Sequence, residues 1–408
     1  MTAPNGHSPL GGSGIYRWVP CPGSVQLSEG AEDPDSEYSA LGTAAHTLAA
    51  YCLGHGTDAW EHTGMAVRPN VGLWRPDLIE ARECHKVDKD MADAVQVYLD
   101  AVRETHGSYA GHGNWSWVER RFHCPTIHEL FYGQSDFTAV ESEEWTEGVL
   151  GDTLHVWDYK HGAGIVVDVV ENWQCMYYAV GMLEELDLWF KVDRVVLHIV
   201  QPRGWHSSGP VREWSISVPD LWQWREGFLV PAMNRAMVSR DTASGEHCRF
   251  CPARFQACPQ LSKDAKEMRR ILAMTEKKGG TPHLTNEELG RLLELGVPMN
   301  IALKAARETG FVRAEKGQMI PGYKLVKAKS NREWKEGADG RARAEFGDDA
   351  FTPPALKSPA QIDKLPKGKA FATREAYKPD KGNQLVPEKD SRQEAGPSVK
   401  SMFKAKGA

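Results

Sequence analysis

The sequence lacks any apolar run of about 18 residues, the length at which a membrane-spanning helix is read, so no such helix is expected. Its opening residues, MTAPNGHSPLGGSG, have neither the basic stretch nor the apolar stretch of a secretory signal. Residues 1–14 therefore read as a flexible, disordered leader, and the protein as cytoplasmic. No Walker motif, G-x-G-x-x-G, H-E-x-x-H or EF-hand loop occurs. An NTP-driven motor is not expected in this chain and would have to be a separate protein. No internal repeat is present. Cysteine is sparse, 8 in 408 residues, which without a secretion signal points to a reducing compartment. Cys52, Cys84, Cys124 and Cys175 stand alone and read as small buried hydrophobes.

What is present is the composition of a globular protein, 41% hydrophobic and 25% charged, with a core large enough for one large or two ordinary domains. The net charge of −6 argues against nonspecific binding to nucleic acid by overall charge. The charge is uneven, however. Residues 351–408 hold 12 Lys and Arg against 6 Asp and Glu, and the rest of the chain holds 37 against 49. A basic tail on an acidic body can reach a polyanion, or can simply be a solvated end.

Periodicity divides the chain. Residues 39–56 (SALGTAAHTLAAYCLGHG) predict a helix capped by Ser39 or Thr43 and stopped by Gly54 and Gly56. Residues 87–107 predict a second, with Met91, Val95, Tyr98, Leu99 and Val102 on one face. The period then changes to two: 115–124, 130–140 and 154–162 read as strands. Residues 170–186 return to helical spacing, 192–202 form a buried strand, and 218–237 form a helix with a kink at Pro231. This order predicts a mixed α/β fold with a central sheet. Beyond it, 262–278 and 284–311 are helical, the latter opened by a Thr285–Glu288 capping box. Residues 322–337 are basic and aromatic, and from 338 onward a disordered tail rich in Pro, Gly, Lys and Asp is expected.

The strands carry the chemistry. Asp158 and Lys160 are two apart, so strand alternation sets them on one face. Asp136 stands in the preceding strand, and Glu119 interrupts the one before that. His46 sits among Gly, Thr and Ala on the first helix, and Gln174 and Tyr178 share a face of the helix after Lys160. An acid and a lysine on one strand face can be a structural pair. With a further acid and a histidine they suit phosphodiester hydrolysis. Carboxylates and an imidazole can hold Mg²⁺ or Mn²⁺. Such an ion polarises the phosphate and activates water, and a lysine orients that water or offsets developing charge.

A second constellation is C-x2-C-x6-C: Cys248, Cys251 and Cys258. Closed thiolate sites take four ligands, and by spacing alone either Cys21 or His247 can supply the fourth. Spacing does not separate an iron–sulfur cluster from zinc.

Gly133-x-x-Asp136, Asp158-x-Lys160, Gln174-x3-Tyr178 and the upstream Gly42-x3-His46, in that order over residues 15–260, resemble the PD-(D/E)XK nuclease superfamily, most closely its RecB-like exonuclease branch. The acid of the D-x-K motif is Asp where Glu is commoner. The resemblance implies a restriction-endonuclease-like core with a central mixed sheet flanked by helices. It implies that His46, Asp136 and Asp158 bind the metal and that Lys160 is catalytic. Glu119 matches the acid often found on the strand before G-x-x-D, and Gln174 and Tyr178 would support the site or the DNA. Some members, the CRISPR-associated four-cysteine nucleases and the B subunit of AddAB helicase–nucleases, carry one cysteine before the core and three after it. By that likeness Cys21, Cys248, Cys251 and Cys258 hold a [4Fe–4S] cluster that fastens the two ends of the domain, with structural Zn²⁺ as the alternative. The layout is also similar to uncharacterised phage and prophage proteins, implying a role in phage DNA replication or recombination, beside a helicase or a single-strand annealing or binding protein. The expected domains are thus 1–14, a nuclease domain at 15–260, a helical and basic accessory region at 261–337 and the tail at 338–408. The expected activity is a Mg²⁺- or Mn²⁺-dependent DNA exonuclease. The competing class is a non-catalytic DNA-binding recombination accessory protein, which the intact D…D-x-K set disfavours.

Overall fold

A computed structural model describes residues 6–31, 37–69, 71–74, 84–107, 115–141, 152–255, 258–278, 283–315 and 317–323. All fall in the first of two units into which the chain divides, Met1–Leu325; the second is Val326–Ala408. The predicted tail, and the basic stretch from 324 to 337, lie outside the described residues.

A 3-10 turn (Gly12–Gly14) leads into two short helices, α1 (Ile15–Trp18) and α2 (Ser24–Leu27). Helix α3 (Glu37–His55) and strands β1 (Ala66–Arg68), β2 (Gly72–Trp74) and β3 (His85–Lys86) follow, then α4 (Lys89–His106). Next come β4 (Ser116–His123), β5 (Tyr132–Glu141) and β6 (Thr153–Tyr159), helix α5 (Trp173–Glu185), and β7 (Arg194–Val200) and β8 (Val211–Ser217). The chain continues through α6 (Val218–Trp224), α7 (Val230–Val238), 3-10 turns at Glu246–Phe250 and Pro252–Phe255, α8 (Pro259–Lys278) and α9 (Asn286–Glu315). Among the described residues, no helix is long and apolar enough to cross a membrane.

The architecture is α/β, with a five-stranded mixed sheet of order β4-β5-β6-β7-β8 flanked by helices. Strands β4, β5 and β6 are antiparallel, β6 and β7 are parallel across the α5 connection, and β8 returns antiparallel. One face, carrying Leu154, Val156, Val195, Leu197 and Ile199, packs in a core with α5 and residues of α6 and α7. The other, carrying Phe137, Ala139, Trp157 and Tyr159, packs against α3 and α4. Both faces of β6 are covered, and all seven of its residues are buried.

Local chemistry explains the helix ends. Asp88 accepts the Met91 N–H and Asn172 the Cys175 N–H, capping α4 and α5. The five α4 residues expected on one face are all buried. Thr285 and Glu288 form the predicted reciprocal cap. Near Pro231 the helix does not simply bend. A π-helical turn, Arg225–Leu229, absorbs the break where proline lacks a donor for the carbonyl four residues back. Helix α3 starts before Ser39, so neither Ser39 nor Thr43 caps it, and it runs through Gly54 to end at Gly56, where φ is +67°.

Residues 6–14 correct the expectation of a disordered leader. Leu10 is fully buried, the Ser8 hydroxyl bonds to the Leu130 carbonyl, and Trp18 Nε1 donates to the Gly11 carbonyl. Of its glycines, Gly12 is the one required by packing, since a Cβ there would meet the rings of Tyr177 and Tyr178 at 2.9 Å. Four strands went unforeseen. β1, β2 and β3 have only two or three residues each, and β8 carries Arg212, Glu213 and Trp214 on a sheet edge where alternation is weak.

The α4 side of the sheet holds a histidine cluster. His198 stacks on Trp157 with centroids 3.8 Å apart, and His155 Nδ1 lies 2.9 Å from His198 Nε2. Trp157 Nε1 donates to His106 Nε2 at 3.0 Å, which requires that nitrogen to be unprotonated. Burial, reinforced by His155, lowers His106 to about 4, and burial with Arg194 does the same to His155. Burial also takes His198 well below its ordinary value. An unfolded chain protonates these rings first, so their contribution to stability is full above a pH of about 6.5 and is lost as pH falls towards their folded values. The urea midpoint is expected to fall as pH is lowered from 6.5 to 5, above the range where most carboxylates titrate. A midpoint unchanged over that interval would contradict neutral burial of the cluster.

Candidate functional site

The acids form a row across three adjacent strands. The β4–β5 register pairs Val118 with Phe137 and Arg120 with Ser135, and the Glu119–Asp136 rung between them is missing from the ladder. Glu119 has φ +50°, a conformation that costs a non-glycine residue energy. The strand re-faces there: Val118 joins the α3–α4 core, whereas Phe122, which alternation would put on the same face, joins the opposite core. Glu119 therefore marks a local distortion within β4, with the register unchanged on either side. The β5–β6 register pairs Phe137 with Trp157, and continuing it by one residue sets Asp136 opposite Asp158.

Gly133 of the G-x-x-D motif is required by packing. A Cβ there would meet the Phe122 ring at 2.9 Å, and Gly181 of α5 presses on the same ring from its own side. The glycine lets α5, bearing Gln174 and Tyr178, approach the strand that bears Asp136.

At this end of the sheet the predicted residues converge. His46 Nδ1, from α3, lies 3.4 Å from Asp136 Oδ1, and the Tyr159 N–H donates to Asp136 Oδ2 at 2.8 Å. Lys160 Nζ is 2.7 Å from Asp158 Oδ2 and donates to Gln174 Oε1 at 3.0 Å. Gln174 Nε2 reaches Asp158 Oδ1 at 3.3 Å and the Tyr178 hydroxyl at 2.9 Å. His46, Glu119 and Asp136 offer ligand atoms that all lie within 4.8 Å of one another. Asp158 stands outside that group, its carboxylate turned to Lys160 and Gln174. The group close enough to share one ion thus includes Glu119 where the sequence motif points to Asp158.

The charges are strongly interdependent. Burial raises Glu119 to about 7, and neighbouring Asp136 adds to the rise. Burial opposes a charge on His46, but Asp136 outweighs it and lifts the ring to about 9. Asp136 is itself held low: burial works upward, and the His46 cation more than offsets it. Burial raises Asp158 against the pull of Lys160. Burial opposes the Lys160 charge, and Asp158 more than restores it, so the side chain is an ammonium. Lys160 is therefore a fixed cation and no proton acceptor. With Glu119 ionised, the three carboxylates exceed the His46 imidazolium and the Lys160 ammonium by one negative charge, which a divalent cation would offset while displacing the His46 proton. The donor set is oxygen-rich with one nitrogen, which fits Mg²⁺ or Mn²⁺.

The cysteines form a second centre. Cys21, Cys248 and Cys251 are buried, and Cys258 is half-buried. Burial raises the thiols of Cys21 and Cys248, Cys248 to about 11, and Cys251 and Cys258 add to both shifts. Hydrogen bonds fasten the surrounding segments: the Gly23 N–H to the Asp241 carbonyl at 2.8 Å, the Arg235 guanidinium to the Val19 carbonyl at 2.8 Å, and the Ala243 N–H to Cys21 Sγ at 3.4 Å. The other candidate ligand, His247, engages its Nε2 with the Ala243 carbonyl. Cys52, Cys124 and Cys175 are buried as expected, and Cys84 is half-buried.

Two contributors escaped the sequence reading. Gln134 donates to Glu119, holding its carboxylate in the row. It lies inside the G-x-x-D motif and could have been found as the polar residue next to the missing rung. Gln201 is buried and fixes the loop after Lys160, donating to the Gly162 and Ile165 carbonyls and accepting from Val167 N–H and Arg212. Only its place at the end of a strand parallel to β6 signals this. Arg120, by contrast, is committed to Glu185 at 3.0 Å.

Fold and site define an α/β protein with a mixed sheet, a carboxylate–histidine–lysine group at one end of it, and cysteines contributed by segments before and after the sheet. The chain belongs to the family described as "Protein of unknown function (DUF2800)", whose model matches residues 7–393. No solved structure matches the chain.

Proposed function

We infer that the protein is a metal-dependent deoxyribonuclease with a restriction-endonuclease-like core, acting as an exonuclease in phage DNA replication or recombination. The observation that carries this reading is the row Glu119, Asp136, Asp158 on three adjacent strands, with His46 on one side and Lys160, Gln174 and Tyr178 on the other. His46, Glu119 and Asp136 would hold Mg²⁺ or Mn²⁺, with Asp158 beside them. The ion supplies Lewis-acid activation of the phosphate and of water. Lys160, kept charged by Asp158 and aimed by Gln174, orients the attacking water or offsets charge on the phosphate. Tyr178 fixes Gln174 in turn. A structural pair alone would need neither the strained Glu119 nor the gathered carboxylates.

The cysteine group suits a [4Fe–4S] cluster. A single tetrahedral zinc ion would bring its sulfurs to roughly 3.8 Å of one another, as Zn–S bonds of about 2.3 Å dictate. Among the described residues, no three of these cysteines have sulfurs within 4.8 Å of each other. A larger cluster accommodates the wider spread.

Degradation of DNA in Mg²⁺ or Mn²⁺, stopped by EDTA and reduced about 100-fold in Glu119→Gln, is the expected outcome in a gel assay. Degradation unaffected by EDTA would remove the metal from the account.

A further inference from the structure

The aromatic group at the N-terminal end of α5 is not accounted for by the site described above. Trp173 opens that helix, directly before Gln174, which holds Lys160. Tyr16 of α1 stacks on Trp173 with centroids 5.1 Å apart and planes 7° from parallel. Its hydroxyl accepts the Trp173 N–H at 3.0 Å. Behind Trp173 the series continues to Phe228, at 4.7 Å, and on to Trp224. Tyr16 is the open end of this series, 45% exposed.

The placement of Tyr16 is rigid. Ile15 and Trp18 on either side of it are fully buried. Gly12 lies so close to α5 that a Cβ there would meet the rings of Tyr177 and Tyr178 at 2.9 Å. Through Trp173 the ring is tied to the residue next to Gln174, whose side chain accepts from Lys160 Nζ at 3.0 Å. Tyr16 is held by stacking, by a hydrogen bond and by its buried neighbours, yet it stays half exposed beside the start of the helix whose Gln174 holds Lys160. The ordering cost of a binding surface is thereby met before any ligand arrives.

We propose that Tyr16 is a base-stacking platform, whose exposed side receives an unpaired base of a single-stranded DNA segment as the adjoining phosphodiester lies at Lys160 and the carboxylate row. This rests on the nuclease reading. Every base has a π-face, so such a platform binds single strands with little sequence preference. It also gives the N-terminal segment, fastened near Cys21, a part in substrate binding.

The test is cleavage of single-stranded oligodeoxynucleotides carrying one abasic position, moved in steps from the end, by the full-length wild type, Tyr16→Phe and Tyr16→Leu. In the wild type, kcat/KM is expected to fall about tenfold when the abasic position meets the platform. Tyr16→Leu should lose about tenfold on the intact strand and lose nothing more at that position, and Tyr16→Phe should remain within about twofold of wild type. Tyr16→Leu cleaving the intact strand at the wild-type rate, or retaining the whole abasic penalty, would overturn the proposal. Since the abasic penalty is read in the unmodified protein, its absence at every position overturns it too, whatever the variants do. A wild type that cleaves no DNA overturns the nuclease reading and this proposal with it.

Discussion

Lys160→Gln is expected to lower DNA cleavage by about 10²–10³-fold, the loss typical of removing one preorganised electrostatic group from a reacting centre. Glutamine is the informative replacement. Asp158 is almost wholly buried, and its carboxylate meets the Lys160 ammonium at 2.7 Å. An alanine or methionine would strand that carboxylate without its cation, at a cost of several kcal/mol typical of a broken buried pair. An amide can still donate to Asp158. A gel assay for cleavage, a melting curve and a DNA-binding titration separate the outcomes. Lost cleavage with a melting temperature and affinity near wild type is the expected pattern. If all three fall together, Lys160 is a structural residue. If cleavage is unchanged, the proposed site does not perform the reaction.

Cys21→Ser is expected to have the largest effect on stability. Cys21 lies with the 248–258 cysteines although the sequence separates them widely, and the flanking segments are already tied by the Gly23–Asp241 and Val19–Arg235 bonds. A cluster bridging the two ends restricts the unfolded chain as a covalent closure does, worth about 5 kcal/mol for a loop of this size in the chain-entropy treatment. For a domain of this length that corresponds to a fall of roughly 10–20 °C in melting temperature. Wild type prepared without oxygen should be brown, with absorbance near roughly 400 nm from thiolate-ligated iron, and Cys21→Ser should be colourless. Wild type holding one equivalent of zinc and no iron would replace the cluster with the zinc alternative. Cys21→Ser retaining both colour and melting temperature would remove Cys21 from the ligand set.

Much of this was legible in the sequence, for identifiable reasons. Helix α4 announced itself because five apolar residues recur at helical spacing and all are buried. Lys160 and Asp158 could be paired because they stand two apart at the end of β6: Lys160 directly follows the last strand residue, and its N–H still bonds to the Val200 carbonyl at 2.9 Å. Gln174 and Tyr178 met across one helical turn as their spacing required. The exceptions are equally physical. Glu119 was visible as an interruption but not as a member of the close ligand group, since its place depends on a positive φ that no periodicity encodes. The packing of Leu10 was hidden by surrounding glycines, of which Gly12 serves close approach to α5. Tyr16 and Gln201 act through tertiary contacts with α5 and with the loop after Lys160, and local pattern carries no trace of either.

The most direct test of the account is a time course of end-labelled single- and double-stranded DNA with the purified wild type in Mn²⁺, run beside Lys160→Gln. The account predicts progressive loss of label by the wild type and almost none by the variant. Equal degradation by both, or none by either when the protein is kept free of oxygen, would contradict it.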